Sequence, residues 1–424
     1  MTAREYLFSL EQIGIKLGLE QIRLLLLALD CPDLAFPSII VAGTNGKGSV
    51  TAMIERGLRE AGHRTGRYIS PHLVAIEERV AIDGVPIAEA TFDRLAARVR
   101  QASASLPFPP SFFEATTALA LEAFRDARVD VAVLEVGLGG RLDATNAVSP
   151  VMAVITAIDL DHQQYLGNSI EEIANEKAGI IKPGVSTVMG ANPLDARQVV
   201  RRVAEAVGSP LIYAPDGVTA RATITGGLTS LSLATPVGAW PPLTLGLRGR
   251  HQVDNAVTAA RALEVFDTSG PLRVPMAARV AALERVEWPA RLELRHWHVQ
   301  DPPIDVLIDG AHNPAGARAL ALYLRESYGR PLPMIFAAMQ DKDIDGLIRA
   351  LAPAASAIIC TRAQSPRAAR PEQLARTIES LAPGLPVFAS HTPAAALAAA
   401  AALGQPIVVA GSLYLAGEIR ELLS

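Results

Sequence analysis

The sequence predicts an α/β protein of two domains, the first built on a mainly parallel sheet with a small antiparallel edge and the second again α/β. Three observations carry that expectation. Short apolar runs alternate with amphipathic, Ala/Leu-rich stretches over most of the 424 residues, the pattern of strands separated by helices. One such run leads directly into a glycine-rich turn and a helical stretch. The alternation lapses over Val218–Leu247, rich in Thr, Gly and Pro, and begins again after about Trp288.

Taken in order, Leu24–Leu29 is too short an apolar run to span a bilayer and reads as one buried face of a helix. Ser38–Ala42 reads as a buried strand, with a helix from about Ser49 to Ala61 after the turn. Asp130–Val136 and Val151–Ile158 read as strands, and Glu114–Arg128 and Ile170–Ile180 as helices. Val218–Leu247 reads as antiparallel strands at the domain's edge, and His251–Phe266 returns to helix. Further strands fall near Ile304–Ile308, Met334–Ala337, Ala357–Cys360 and Ile407–Val409, and Ala394–Ala402 reads as a helix. The domain boundary lies between Leu283 and Arg291, giving residues 1–286 and 287–424. In sheets of this kind ligands gather at the carboxyl ends of the strands.

Composition narrows the function classes. Half the residues are hydrophobic and only 5% aromatic, so the cores are built from Ala, Leu, Val and Ile. A net charge of -4 offers no electrostatic reason to expect nucleic acid or a membrane surface as partner. The start of the chain lacks a basic region followed by a long apolar stretch. Cys31 and Cys360 form no metal-ligand spacing, and a reducing cytoplasm fits them. Of 39 basic residues only five are lysines: Lys16, Lys47, Lys177, Lys182 and Lys342. Only an amine deprotonates readily, so the lysines an arginine-rich chain retains draw attention.

The strongest local motif is Gly43-Thr44-Asn45-Gly46-Lys47-Gly48-Ser49, between the first strand and its helix. Glycines let backbone N–H groups point inward around phosphate oxygens, and the helix N-terminus adds its dipole. Lys47 would meet the β- and γ-phosphates, and Ser49 could reach Mg²⁺. The bland alternative is a tight turn without a ligand. Glu135, ending the run Val131–Leu134, is placed to hold Mg²⁺ directly or through water; alternatively it is a solvated strand terminus. Lys177, with Glu176 beside it, reads most simply as a surface lysine paired with an acid. Asp309 ends a strand, and His312, Asn313 and Pro314 then suit a helix-capping turn. His296-Trp297-His298 reads as part of a strand rather than a metal pair; His72, His296 and His298 receive no role.

The loop GTNGKGS resembles the phosphate loop of the folylpolyglutamate synthase/dihydrofolate synthase family, related to the muramyl-peptide ligases, which usually carry Thr or Ser directly after the lysine. The resemblance recurs in order along almost the whole chain. It runs through Ser70-Pro71-His72-Leu73, Ser111-Phe112-Phe113-Glu114, the stretch Glu135 to Asn146, Asp161-His162, Asn175 to Lys182, Gly249-Arg250-His251-Gln252 with Asn255, Arg291, Asp309 to Pro314, and Gly411 to Tyr414. It implies a P-loop-type ATPase domain followed by a Rossmann-like domain. It also implies ATP bound by Gly43–Ser49, Asn255, Arg291, Asp309 and His312, with Lys47, Lys177 and His162 catalytic. Two Mg²⁺ positions are implied around Ser49, Ser70, Glu135, His162 and Lys177, whose amine is expected to carry CO₂ as a carbamate. Histidine is an unusual ligand for Mg²⁺; from chemistry alone His162 reads as a base or hydrogen-bond donor.

A pterin or folate site is implied at Lys16, Leu17, Gly18, Leu19, Ser111, Phe112, Phe113, Glu114, Leu142 and Asp143. The paired phenylalanines would offer a flat apolar wall and Glu114 would meet the ring's polar edge, unless both rings merely anchor the helix that follows. The expected reaction joins L-glutamate to dihydropteroate and to folates through an acyl phosphate, in a cytoplasmic monomer without nucleic-acid or membrane partners. Rival readings are chain extension of folates alone, muramyl-peptide ligation, and a nucleotide-binding regulatory protein.

Overall fold

The strand β1 (Ser38–Ala42) is buried at every position, as expected of a central parallel strand covered on both faces. Around it, in the computed structural model, which describes residues 2–14 and 16–423, lie β2 (Thr65–Tyr68), β3 (Val80–Ile82), β4 (Val85–Pro86), β5 (Val131–Glu135), β6 (Met152–Ile155), β7 (Ser186–Met189) and β8 (Leu211–Tyr213). Their order is β4-β3-β2-β5-β1-β6-β7-β8. From β2 to β8 all pairings are parallel, and β3 and β4 add an antiparallel edge.

Two apolar clusters flank this sheet. One joins Ile22, Leu25, Phe92, Leu119, Phe124, Tyr68 and Leu134, and the other joins Ile40, Ile155, Ile173, Ile180, Met189 and Val200. The run Leu24–Leu29 is a correction to expectation. It falls mainly on the helix Glu20–Ala28, where Leu25 and Leu26 are buried but Leu24 and Leu27 are 41% and 66% exposed. At about 100° per residue, six consecutive leucine-like residues wrap right round a helix and cannot share one face.

The Thr/Gly/Pro-rich stretch forms β9 (Thr219–Thr225), β10 (Leu228–Thr235), β11 (Gly238–Ala239) and β12 (Leu243–Leu245). These make a sheet of their own, with β10 between β11 and β12 and also paired to β9. They are not the edge of the large sheet; that place belongs to β3 and β4. Burial alternates along β10, the mark of a half-covered strand.

A third sheet comprises β13 (Glu293–Trp297), β14 (Ile304–Ile308), β15 (Leu332–Phe336), β16 (Ala355–Cys360), β17 (Val387–Ala389) and β18 (Ile407–Ala410), in the order β13-β14-β18-β15-β16-β17. Only β13 runs antiparallel. His296 lies opposite Asp305 and bonds to it at 2.7 Å, so its ring is engaged within the strand pair.

The chain divides into two compact units: Met1–Arg221 with Ser232–Leu243 and Asp254–Val286, and Ala222–Leu231 with Thr244–Val253 and Glu287–Ser424. Among the described residues no helix is long and apolar enough to cross a membrane, and both cysteines are free thiols.

Candidate active site

In the first unit the strand order β2-β5-β1-β6 sets four carboxyl-terminal segments side by side. These carry Ser70, Glu135, the loop 43–46 and the segment 156–162, respectively. The loop leads into the helix Lys47–Glu60 and is stitched to the segment after β6. Thr44 and Asn45 donate their backbone N–H groups to Ala157 O at 2.7 and 3.2 Å, and Thr44 Oγ1 donates to Asp159 O at 2.9 Å. Those two amides therefore brace the loop, and a phosphate is left to the helix N-terminus that begins at Gly46. Gly46 has φ 85, and a Cβ there would stand 2.3 Å from Asn255 Oδ1. Only glycine fits, and Asn255 is thereby placed directly on the loop.

Two lysines converge on one oxygen. Gly43 O accepts from Lys47 Nζ at 3.1 Å and from Lys177 Nζ at 2.8 Å; Lys47 also donates to Thr44 O at 3.2 Å. Lys177 is only 3% exposed. Burial, reinforced by the charge of Lys47, pulls its pKa down to about 7 against the pull of Asp161 and Asp143. It is no surface lysine, and Glu176 is not its partner: that carboxylate pairs with Arg141 at 2.8 Å.

Glu135 is 6% exposed at the end of β5, and its Oε2 accepts from Ser70 N at 3.4 Å. His162 sits at φ 51, donates its backbone N–H to Asp161 Oδ1 at 2.8 Å, and holds its ring Nε2 4.0 Å from the same carboxylate. No group of three or more His, Cys, Asp and Glu side chains converges among the described residues. Where phosphate supplies most of the oxygens, Mg²⁺ would need only one or two carboxylates and hydroxyls from the protein. Glu135, Ser70 and the buried Ser49 fit that description. Asp161 belongs to the motif Asp161-His162, which gave it no role of its own.

The aromatic segment is less simple than its motif. Ser111 caps the helix Phe112–Ala127, and Glu114 Oε2 accepts from Ser111 N and Oγ at 2.7 and 2.8 Å. Glu114 is 3% exposed. Ser-x-x-Glu here is a capping box, so this oxygen meets its own helix start rather than a ligand's polar edge. The two rings also part company instead of forming one wall, as neighbours about 100° apart on a helix do. Phe112 stacks on Phe8 at 6.0 Å with the Arg79 guanidinium 5.1 Å away. Phe113 lies 5.9 Å from Tyr68 and so close to Gly137 that a Cβ there would stand 2.5 Å from the ring.

Asp143 is buried, and its carboxylate accepts from Leu138 N at 2.8 Å and Thr145 N at 3.0 Å. Burial pushes its pKa up against those bonds. Gly18 N donates to Leu142 O at 3.4 Å, which brings the 16–19 loop against this turn. Nearby, Lys16 Nζ lies 5.9 Å from the Phe108 ring, and Leu17 and Phe108 are 42% and 67% exposed. Leu19 packs on the core. Phe8, Arg79 and Phe108 had no signal in the sequence beyond their residue types. His72 receives a hydrogen bond from Arg79 Nε at 3.0 Å, and burial with that cation lowers its pKa to about 4.

In the second unit, Asp309 follows β14, and both its oxygens hold backbone: Oδ1 accepts from Ala311 N at 2.8 Å and Oδ2 from Leu292 N at 2.9 Å. Its visible work is to fix the turn that carries Arg291, where a contact to ATP was expected. His312 Nδ1 lies 2.8 Å from Gly310 O, and Asn313 caps the helix Pro314–Tyr328 by accepting from Gly316 N at 2.9 Å. His251 is half-buried, and desolvation with the charge of Arg291 holds its pKa near 4.

Family models match in two places: "Mur ligase middle domain" over residues 109–263 and "Mur ligase, glutamate ligase domain" over residues 290–413. A dihydrofolate synthase/folylpolyglutamate synthase of Mycobacterium tuberculosis is 38% identical over 96% of this chain and 90% of its own length. The chain belongs to this family. The fold agrees. A structure of Mycobacterium tuberculosis folylpolyglutamate synthase complexed with ADP and AMPPCP superposes with a TM-score of 0.90, at 35% identity over 100% of this chain and 99% of that one. E. coli FolC in complex with DHPP and ADP gives a TM-score of 0.88, at 30% identity over 100% and 97% of the two chains. At the carboxyl end of the sheet in the first unit, the loop 43–46, the half-buried Lys47, the buried Lys177 and Glu135 sit together. Of the expected pterin residues, Phe113 lies against Gly137 and Gly18 reaches Leu142, while Phe112 lies by Phe8 and Lys16 by Phe108.

Proposed function

We propose that the chain is an ATP-dependent, amide-forming ligase that joins L-glutamate to dihydropteroate, giving dihydrofolate, and extends folates with further glutamates. A carboxylate oxygen of the substrate attacks the γ-phosphorus of ATP, and the bond to the ADP oxygen breaks. The glutamate amine then attacks the acyl carbon, phosphate leaves, and one amine proton passes to solvent. A free carboxylate is a poor electrophile, so phosphorylation supplies the leaving group; the protein contributes positioning and charge stabilisation.

The observation that carries this reading is the convergence of Lys47 and Lys177 on Gly43 O. Lys47 lies on the loop where phosphate charge would arrive. Lys177, whose pKa burial lowers to about 7, gives up its proton far more readily than an exposed lysine. Its amine can then form an N–C bond to CO₂ and release a proton, giving a carbamate that captures metal charge. Bound Mg²⁺ would neutralise the charge developing on the phosphate oxygens. Glu135, Ser49, Ser70, His162 and the carbamate of Lys177 are the residues that would hold it, and Asn255 would meet the nucleotide beside Gly46. We assign nucleotide and pterin binding to residues 1–286 and glutamate ligation to residues 287–424, keep Arg291, Asp309 and His312 as ATP contacts, and place the chain in the cytoplasm as a monomer.

The narrower reading, chain extension alone, differs only in the acceptor that is used. The deciding experiment supplies dihydropteroate, L-glutamate and MgATP and follows dihydrofolate by chromatography alongside ADP. Dihydrofolate formation supports both activities. Extension of reduced folates with dihydropteroate untouched leaves the synthase of polyglutamates only, and ADP formation indifferent to both acceptors would sink the ligase reading.

A further inference from the structure

Residues 289–292 turn into β13 along a backbone that side chains resist. Ala290 has φ 55 and Leu292 has φ 49, both in the left-handed region that non-glycine residues, and bulky ones above all, rarely enter. Both side chains are buried, at 0% and 1% exposure, so the turn is not a loose surface excursion. Such a conformation persists only where the surroundings over-determine it.

Two carboxylates do so, one at each strained residue. Glu293 Oε2 accepts from Ala290 N at 2.9 Å, and Asp309 Oδ2 accepts from Leu292 N at 2.9 Å. Gly310 N closes the turn onto Ala290 O at 2.8 Å. Glu293 is itself held by Arg420, whose Nε lies 3.1 and 3.0 Å from its two oxygens. Between the strained residues stands Arg291. Its Nη1 donates back to Ala290 O at 2.8 Å, and it lies over Gly310 so closely that a Cβ there would be 2.7 Å from Nη1.

We infer that Glu293, clamped by Arg420, is a positioning residue for Arg291: it holds Ala290 in the left-handed region and so fixes the direction in which the guanidinium is presented to nucleotide. The inference rests on the reading that Arg291 contacts ATP. Without the Glu293 acceptor, Ala290 relaxes toward ordinary backbone angles, and the arginine loses its carbonyl partner and its seat on Gly310. The effect falls on ATP affinity and leaves chemistry on bound substrates largely intact.

The test compares Glu293→Ala, Glu293→Gln, Ala290→Gly, the double variant Glu293→Ala/Ala290→Gly and Arg291→Ala. It reads KM for ATP, kcat and melting temperature. Glu293→Ala should raise KM for ATP roughly tenfold, the loss of one charge-assisted hydrogen bond and the order it imposes, with kcat changed far less. Glu293→Gln keeps an acceptor for Ala290 N and should show a smaller rise, which guards against a variant that fails to fold. Ala290→Gly alone should be close to unchanged. In the double variant it should restore most of the affinity, because glycine enters the left-handed region without a side-chain penalty. A rescue of this kind is not expected of a residue that merely stabilises the fold. Unchanged KM in Glu293→Ala, a fall in melting temperature and kcat without a KM effect, or no rescue in the double variant each overturns the inference. If Arg291→Ala leaves KM for ATP unchanged, the nucleotide reading of Arg291 fails first and the inference falls with it. A raised KM in Arg291→Ala beside an unchanged one in Glu293→Ala sinks the inference alone.

Discussion

Lys177 shows most plainly what burial does to a single group. Its pKa is held near 7 in the folded chain, against about 10.4 for an exposed lysine. Between those two values the unfolded chain binds more protons than the folded one, so stability rises with pH across that window and is flat below it. The direction is opposite to that of a salt-bridged lysine. Replacing Lys177 with Met should remove this slope: in urea titrations the wild type should gain on the order of a few kcal/mol relative to the variant between about pH 7 and pH 10. Parallel curves for the two proteins would refute the burial argument. In activity, Lys177→Ala should lose most turnover and regain part of it with a small added carboxylic acid, whereas Lys177→Arg should regain none, because guanidinium forms no carbamate. Rescue of the arginine variant to the same extent would count against a carbamate.

At the scale of elements, the helix Phe112–Ala127 depends on its first turn. Ser111→Ala removes one donor to Glu114 and the acceptor for Glu114 N, which should cost about 1 kcal/mol of stability. Because that turn also sets Phe113 against Gly137 and Tyr68, KM for the pterin substrate should rise while KM for ATP holds. Thermal unfolding with steady-state kinetics on both substrates checks the pair of effects; a shift in ATP affinity instead would show that the cap serves the phosphate loop.

The same element shows what was legible in sequence. Strands β1, β5, β6, β14 and β18 declared themselves because buried parallel strands are continuous β-branched and aliphatic runs. The loop Gly43–Gly46 declared itself as a strand-to-helix junction through its glycines. Ser-x-x-Glu was visible too, but the motif carries two meanings, and only coordinates show that Glu114 turns back on its own helix. Asp309 was placed correctly at a strand end, yet the groups its oxygens hold, Leu292 and Ala311, come together only through β13 pairing with β14. The sheet formed by β9–β12 was seen as strands, but its independence from the large sheet depends on non-local partners that no local pattern encodes.

For the molecule as a whole, strand order gathers Ser70, Glu135, the loop at Gly43 and His162 from segments far apart in sequence onto one edge of one sheet. If that edge is the nucleotide site, ligand binding must feed back on global stability. Saturating MgATP, at about 100 times its Kd, should add about 2.7 kcal/mol and raise the melting temperature. Chelating the metal should diminish the shift, and Lys47→Ala, which keeps the fold but loses the loop's charge, should abolish it. A full shift in Lys47→Ala, read by thermal scanning with and without chelator, would move the nucleotide elsewhere.

The shared acceptor of Lys47 and Lys177 has a thermodynamic meaning of its own. Stripping an ammonium group of water is expensive, and an enzyme that did so only as substrate arrived would weaken its own binding by that amount. Here Gly43 O takes the donors of both lysines in the folded chain, so the dehydration accompanies folding. On the proposed reading, a CO₂ at the buried Lys177 would exchange one oxygen partner for another with little solvent left to displace, and a phosphate at the half-buried Lys47 would find its ammonium already partly stripped of water. The lowered proton affinity of Lys177 is the visible residue of work already done by the packing of the chain.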